Sequence, residues 1–139
     1  MHRSGFSQVF VLDITDAPFA DLVQRCPDFP RPHLLVGDFF THRGRYDLII
    51  EQTFFCALAP GLRPAYVQHM HDLLVPGGKL RGVLFDTVPP GEGPPYGGSE
   101  AEYRQLFGAY FPALTLERCY NSIPPRADRE LWLRADRMT

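Results

Sequence analysis

The sequence has few cysteines and no long apolar run. Its three cysteines, Cys26, Cys56 and Cys119, are an odd number and lie far apart along the 139 residues. Disulfide frameworks and zinc knuckles need paired, closely spaced cysteines, so we expect reduced thiols and a cytoplasmic protein. No apolar run approaches the roughly 18 residues of a membrane span, and the first residues lack the pattern of a signal peptide. We therefore expect no membrane among the partners.

The sequence also lacks an excess of positive charge and the common local motifs of catalysis. The formal net charge is −2, whereas proteins that bind nucleic acid usually carry a basic field, so we expect no nucleic acid partner. We find no phosphate-binding glycine loop, no catalytic triad and no metal cluster. His69 and His71 are two residues apart on a predicted helix and therefore point to different faces, so no metal site is predicted.

What is present is typical of one globular domain. Hydrophobic residues make up 45% and charged residues 22% of the chain, which excludes a disordered or fibrous protein. The 12 glycines and 14 prolines indicate frequent turns. Apolar runs predict strands, and the 3.6-residue period or capping residues predict helices. The predicted strands are 9–13, 33–38, 46–51, 79–86, 114–120 and 130–135, and the predicted helices lie between Asp16 and Pro27, over 62–74 and over 99–107.

Strands that alternate with helices favour an α/β fold with a mostly parallel sheet covered on both faces. Trp132 is then predicted to lie in the core. Ligands bind at the carboxyl ends of such strands, where four acidic residues are predicted: Asp13, Asp38, Glu51 and Asp86. Acidic strand ends also keep a sheet edge solvated, so the pattern alone leaves a ligand site and a solvated edge as alternatives.

Several short runs at characteristic spacings resemble the thiopurine S-methyltransferase family. These are Gly-Asp-Phe-Phe at 37–40, Thr-Phe-Phe-Cys-Ala at 53–57, Leu-Arg-Pro at 62–64, Pro-Gly-Gly at 76–78, Gly-Pro-Pro-Tyr at 93–96 and Ser-Ile-Pro-Pro-Arg at 122–126. The family includes plant thiol and halide methyltransferases, and its members are class I S-adenosylmethionine-dependent enzymes. The resemblance covers almost the whole chain and implies S-adenosyl-L-methionine as cofactor.

The front of the chain departs from the family pattern. No strand followed by a Gly-x-Gly loop precedes Val9, and the first predicted strand resembles the second strand of the family. We therefore expect a Rossmann-like class I methyltransferase sheet lacking its first strand and glycine loop, in a single partial methyltransferase domain over 1–139. The missing strand lies in the middle of the family's sheet, so its neighbours would present unpaired backbone groups. The sequence thus predicts a homo-oligomer through exposed sheet edges.

The resemblance implies a set of cofactor-binding residues. They are Asp13, Ile14, Asp38, Phe39, Glu51 and Gln52. Asp13 resembles the acid that holds the ribose hydroxyls, and Asp38 resembles the residue that accepts from the adenine amino group. Glu51 and Gln52 end the strand at which the family's cofactor and substrate meet.

The resemblance also implies substrate-binding residues, namely Thr53, Phe54, Tyr96 and Arg126. Tyr96 could equally belong to a rigid surface turn, and Arg126 to a surface ion pair. No catalytic residue is predicted, because a soft nucleophile needs little or no general base. Cys56 has no neighbouring base and is predicted to be core rather than a nucleophile.

The implied activity is S-adenosylmethionine-dependent methylation of a small soft nucleophile, such as a thiol or halide. One alternative is a non-catalytic methyltransferase remnant or a self-associating interaction module. Another is a nucleotide-binding domain with a different reaction, such as half of a dehydrogenase, but that fold needs its own glycine fingerprint on the first strand.

Overall fold

The computed structural model describes residues 1–87 and 94–139. It divides the chain into two compact units, Met1–Arg43 and Gly44–Thr139. Strands of the two units belong to separate sheets, one with two strands and one with four. Among the described residues, no helix is long and apolar enough to cross a membrane.

The first unit consists of a parallel strand pair and the helix that connects it. Strand β1 (Val11–Asp13) pairs with β2 (Leu34–Val36), and helix α1 (Ala17–Arg25) lies between them in sequence. Pro18 occupies the first turn of α1, where its missing N–H costs nothing. Both strands are shorter than predicted. For β2 the reason is that the chain turns away on either side of it, since Arg31–His33 forms a 3-10 turn before it and Asp38 caps another after it.

The second unit is a four-stranded mixed sheet with two helices. Its elements are β3 (Tyr46–Gln52), α2 (Arg63–Leu73), β4 (Leu74–Phe85), α3 (Glu100–Gly108), β5 (Thr115–Arg118) and β6 (Glu130–Asp136). The strand order is β3-β4-β6-β5. Strands β3 and β4 are parallel, but β6 runs antiparallel to both β4 and β5. Strands β3, β4 and β5 therefore share one direction and only β6 is reversed, which agrees with the expectation of a mostly parallel sheet. Strand β6 can pair antiparallel because it is joined to β5 without a helical crossover.

Strand β4 begins earlier than its sequence predicts. Helix α2 ends at Leu73 and β4 starts at Leu74, so the Pro-Gly-Gly run lies inside the strand. Gly77 adopts a φ of 82°, a left-handed conformation that favours glycine. The register with β3 shifts here, from Tyr46 opposite Leu74 to Leu48 opposite Lys79. The Pro-Gly-Gly run therefore forms a glycine-dependent irregularity near the start of β4.

The core lies between the helices and one face of the sheet. Tyr66, Met70 and Leu73 of α2 are buried at the spacing that the 3.6-residue period predicts. Burial alternates along β6, where Leu131 and Leu133 are buried while Trp132 between them is 37% exposed. The expectations of a sheet covered on both faces and of a core Trp132 are therefore wrong for the described chain.

Two apolar residues of β3 on the other face of the four-stranded sheet are exposed to solvent. Ile50 on β3 is 60% exposed and Leu48 is 39% exposed. Strand β3 is also the outer strand of its sheet, with β4 on one side only. The apolar composition of β3 predicted a buried strand, but β3 is an edge strand.

Candidate functional site

The carboxyl end of β3 carries a buried acid. Glu51 is 4% exposed, and its Oε1 accepts hydrogen bonds from the backbone N–H groups of Phe54, at 3.1 Å, and Phe55. Burial raises the pKa of Glu51 to about 7, because desolvation outweighs these two bonds. Its Oε2 is buried with no hydrogen-bond partner among the described residues. Glu51 thus supports the turn that follows β3.

A glycine on the neighbouring strand leaves space for this carboxylate. Gly82 lies opposite Glu51 in the β3–β4 ladder. A Cβ at Gly82 would come within 3.0 Å of the Glu51 backbone oxygen and within 3.2 Å of Oε2. Any larger residue at this position would have to displace the buried acid.

The turn supported by Glu51 holds Thr53 in a strained conformation. Thr53 has a φ of 62°, which is unfavourable for a β-branched residue. Its Oγ1 donates to the backbone oxygen of Gln52 at 2.6 Å. Backbone strain of this kind clusters at functional sites, where the surrounding structure maintains it.

Three of the predicted binding residues line one small cavity. The lining consists of Gln52, Thr53, Cys56, Val83, Phe85, Arg126 and Glu130. Its volume is about 10 Å³, which is room for roughly one water molecule. The guanidinium of Arg126 lies 5.3 Å from the centre of the Phe85 ring, and its Nη1 is 3.7 Å from Glu130 Oε2. The cavity therefore combines an arginine, a threonine and an aromatic wall.

Four lining residues, namely Cys56, Val83, Phe85 and Glu130, were not predicted as part of a site. Burial raises the pKa of the Cys56 thiol, and the negative charge of Glu51 adds to the effect. Cys56 is half-buried and lines the cavity, so the expectation that it lies in the core is wrong. Glu130 is 6% exposed at the start of β6; the only sequence signal was its spacing of four residues from Arg126.

The other two predicted substrate residues do not line this cavity. The Phe54 ring packs against Tyr66, with the ring centres 6.0 Å apart. The backbone N–H of Tyr96 donates to the backbone oxygen of Cys56 at 2.6 Å. This bond brings the loop that contains Tyr96 to the turn after β3. Gly93, which opens the Gly-Pro-Pro-Tyr motif, lies outside the described residues.

The predicted cofactor residues of the first unit lie at the carboxyl ends of β1 and β2. Asp13 is half-buried, and its Oδ1 accepts from Thr15 N at 3.1 Å. Asp38 is exposed, and its Oδ1 accepts from Phe40 N at 2.9 Å. Phe39 is 9% exposed, whereas Ile14 is 77% exposed. Both carboxylates therefore lie at one end of a parallel strand pair, and Ile14 projects into solvent.

The acidic strand end of β4 has a different partner. Asp86 Oδ2 binds Arg118 Nη2 at 2.6 Å. Each of the four predicted strand-end acids thus has a backbone or side-chain partner of its own. Within residues 1–87 and 94–139, no group of three or more His, Cys, Asp or Glu side chains could hold a metal ion.

Solved structures show the class of fold. The chain aligns with a 1,6-didemethyltoxoflavin-N1-methyltransferase from Burkholderia thailandensis, solved with bound S-adenosylhomocysteine, at a TM-score of 0.68 and 21% identity over 95% of this chain and 62% of that chain. A SAM-dependent methyltransferase from Methanosarcina mazei aligns at a TM-score of 0.62 and 14% identity, covering 91% of this chain and 80% of that one. The fold is that of the S-adenosylmethionine-dependent methyltransferases, as the family resemblance implied.

A family model narrows the assignment. The model of the thiopurine S-methyltransferase family matches residues 17–133. The chain belongs to the thiopurine S-methyltransferase family.

Curated relatives agree with this family. "Probable thiol methyltransferase 2" of Arabidopsis thaliana is 40% identical over 99 residues, which are 69% of this chain and 44% of the relative. "Thiocyanate methyltransferase 1" of the same plant is 30% identical over 125 residues, 86% of this chain and 55% of the relative. "Thiopurine S-methyltransferase" of Nitrosospira multiformis is 37% identical over 82 residues, 55% of this chain and 37% of the relative. The matches thus span about half or less of these relatives.

Proposed function

We propose that the protein transfers a methyl group from S-adenosyl-L-methionine to a small soft nucleophile such as a thiol. Family membership supports the reaction, and relatives named for thiol, thiocyanate and thiopurine methylation support the acceptor class. The observation that carries the proposal is the cavity lined by Gln52, Thr53 and Arg126 at the carboxyl end of β3. In α/β sheets this end is where ligands bind.

The carboxylates of the first unit fit the hydroxyl and amino groups of the cofactor. Asp13 and Asp38 each use Oδ1 to accept from a turn amide. An ionised carboxylate offers about four lone-pair sites, so each retains acceptor capacity. Asp13 would accept from the ribose hydroxyls and Asp38 from the adenine amino group, with Ile14 and Phe39 as apolar neighbours. When bound, the cofactor supplies an electrophilic methyl group on its sulfonium.

The cavity residues fit the acceptor. Arg126 would attract a thiolate or another anion, while the Gln52 amide and the Thr53 hydroxyl can donate hydrogen bonds. Phe54 and Tyr96 do not line the cavity itself; they belong to the turn after β3 and to the loop bonded to it, and would contact the acceptor once these segments move. The described cavity holds about one water, so acceptor binding requires the turn after β3 or the Tyr96 loop to move outward. A thiolate needs no general base at this point, because alignment with the methyl donor supplies most of the catalysis.

An interaction module is the second candidate. Strand β3 is the outer strand of its sheet, and its Ile50 is 60% exposed. Such an edge favours self-association, and oligomerisation could also complete a site that one copy forms in part. The three free cysteines favour a reducing, cytoplasmic location for either candidate.

Calorimetric titration with S-adenosylhomocysteine, followed by an assay for methyl transfer to small thiols, tests the proposal. We expect saturable binding and transfer. Arg126→Met, whose side chain can still pack on Phe85 but carries no charge, should raise the KM for the thiol about tenfold. This change corresponds to the loss of one hydrogen bond to a charged group. Arg134→Met, at an exposed position of β6, is the matched control. A folded protein that binds no S-adenosylhomocysteine and methylates no thiol contradicts the proposal and leaves the interaction module.

A further inference from the structure

A fully buried arginine begins helix α2. Arg63 is 2% exposed. Its guanidinium lies 4.6 Å from the centre of the Phe55 ring and 5.9 Å from that of Tyr103. Arginine is almost never fully buried unless its charge is paired, so its partners indicate its role.

The partners of Arg63 lie on two other segments. Nη1 donates to Glu102 Oε2 on α3. Nη2 donates to the backbone oxygen of Gly97 at 2.7 Å, and the Tyr96 oxygen lies 3.5 Å from the same nitrogen. The planar fork of donors therefore binds a helix and an irregular loop at the same time, which a lysine ammonium reproduces poorly.

The loop is also fixed at its two ends. Tyr96 N donates to Cys56 O at 2.6 Å, and Gly98 N donates to Thr87 O at 3.1 Å. A Cβ at Gly98 would overlap the Tyr103 ring, so only glycine permits this approach. Tyr103 is itself held by a 2.5 Å hydrogen bond from its hydroxyl to Phe85 O.

We propose that Arg63 is a positioning residue that holds loop 96–98 against the turn after β3. Cys56 and Phe85 both line the cavity with Thr53. Arg63 reaches that lining through Phe55, which adjoins Cys56, and through the loop bonded to Cys56. It thereby sets where Tyr96 lies relative to the cavity. This role rests on the proposed function in so far as the cavity binds the acceptor.

General helix packing does not account for this arrangement. A buried ion pair is often no more stabilising than apolar residues of similar volume, and α2 and α3 already have an aromatic contact between Tyr66 and Phe107. The Gly97 carbonyl, by contrast, belongs to a loop without a ladder or helix to bind it. Among the described residues, the side chain that donates a hydrogen bond to the Gly97 carbonyl is that of Arg63.

Amide hydrogen exchange tests the positioning role without an assay of activity. In Arg63→Met we expect the Tyr96 and Gly98 amides to exchange about tenfold faster or more, as for the loss of a hydrogen bond to a charged group. Amides in the β4–β6 ladder should keep their relative protection. Arg63→Lys should give only partial rescue. Arg81→Met, which removes the 2.7 Å Arg81–Asp136 contact, is the matched control and should leave both loop amides unchanged.

Glu102→Gln provides a second variant that keeps the arginine and its bond to Gly97. It should accelerate exchange at Tyr96 by less than Arg63→Met does, and it replaces that variant if Arg63→Met does not fold. Equal acceleration across the loop and the β4–β6 ladder, or no acceleration at Tyr96 in any folded variant, would overturn the positioning role.

Kinetic measurements test whether the position of the loop affects binding of the acceptor at the proposed site. Where the wild-type chain methylates a thiol, Arg63→Lys should raise the KM for that thiol several-fold and leave the affinity for S-adenosylhomocysteine unchanged. An unchanged KM together with loosened loop amides would show that the loop does not contact the acceptor, and would overturn this consequence. If the wild type methylates nothing, the proposed function fails, while hydrogen exchange still decides whether Arg63 holds the loop.

Discussion

Glu51 Oε1 accepts the backbone N–H of Phe54 at 3.1 Å, three residues further along the chain. The bond closes the turn that holds Thr53 at a φ of 62°. A buried acid at a strand end therefore supports a strained residue that lines the cavity. Because burial also raises the pKa of this acid to about 7, both the stability and the geometry of the turn should respond to pH.

We expect the free energy of unfolding to contain a component from Glu51 that falls as the pH rises from about 4.5 to about 7. In this range the folded protein retains a proton on Glu51 that the unfolded chain releases, so unfolding becomes easier as the pH increases. The component is fully present below the unfolded pKa and is lost as the pH passes the folded pKa. Its size is about 3 kcal/mol at roughly 1.4 kcal/mol per pKa unit.

Urea unfolding at pH 5 and pH 8 measures this component. Glu51→Gln should lose less stability between the two pH values than the wild type does. Glu117→Gln, an exposed substitution on β5, should behave like the wild type. Identical pH dependence in Glu51→Gln and the wild type would contradict the raised pKa.

Thr53 should limit the stability of the protein. Thr53→Asn is expected to stabilise it by about 1 kcal/mol, because asparagine tolerates the left-handed region better than a β-branched residue. Thr115→Asn lies on strand β5, where the same change should be neutral or destabilising. The melting temperatures of the two variants, measured by thermal unfolding, are compared with each other. A lower melting temperature for Thr53→Asn than for Thr115→Asn would show that the turn is not strained.

Several elements were predictable because their periodicity is strong. Strand β3 and helices α2 and α3 lie within one or two residues of the ranges that apolar runs and capping residues predicted. The Ser99 cap also forms, with its side chain accepting from Glu102 N at 3.3 Å. The Glu102 carboxylate binds Arg63, 39 residues away in sequence, and no local pattern predicts this contact.

The site was predictable only in part. Resemblance to the family selected Gln52, Thr53 and Arg126, which the fold brings to one cavity. Resemblance could not indicate that Glu51 and Arg63 are buried. Such burial depends on Gly82 and on the Phe55 ring, which come from other elements. Local patterns carry no information on such long-range contacts.

Asp13 should contribute to cofactor binding more than Cys56 does. Asp13→Asn is the sharper variant, because an amide oxygen can keep the 3.1 Å bond from Thr15 N while the charge is lost. We expect at least about tenfold weaker binding of S-adenosylhomocysteine, since a hydrogen bond to a charged group contributes about 1.5–3 kcal/mol. Cys56→Ser should bind as the wild type does. Calorimetry that finds equal affinity for Asp13→Asn and the wild type would remove Asp13 from the ribose site.

The outer edge of β3 should drive self-association. Among the described residues, this strand has a ladder partner on one side only, and its exposed Ile50 adds apolar area that water disfavours. We expect the mean mass measured by light scattering on a sizing column to rise with protein concentration. Ile50→Lys should restore the monomer mass, because a lysine on an edge strand opposes pairing with a second chain. Glu117→Lys carries a similar change on β5 and should leave the mass unaltered. A wild type that stays monomeric at every concentration would mean that the β3 edge is protected in solution.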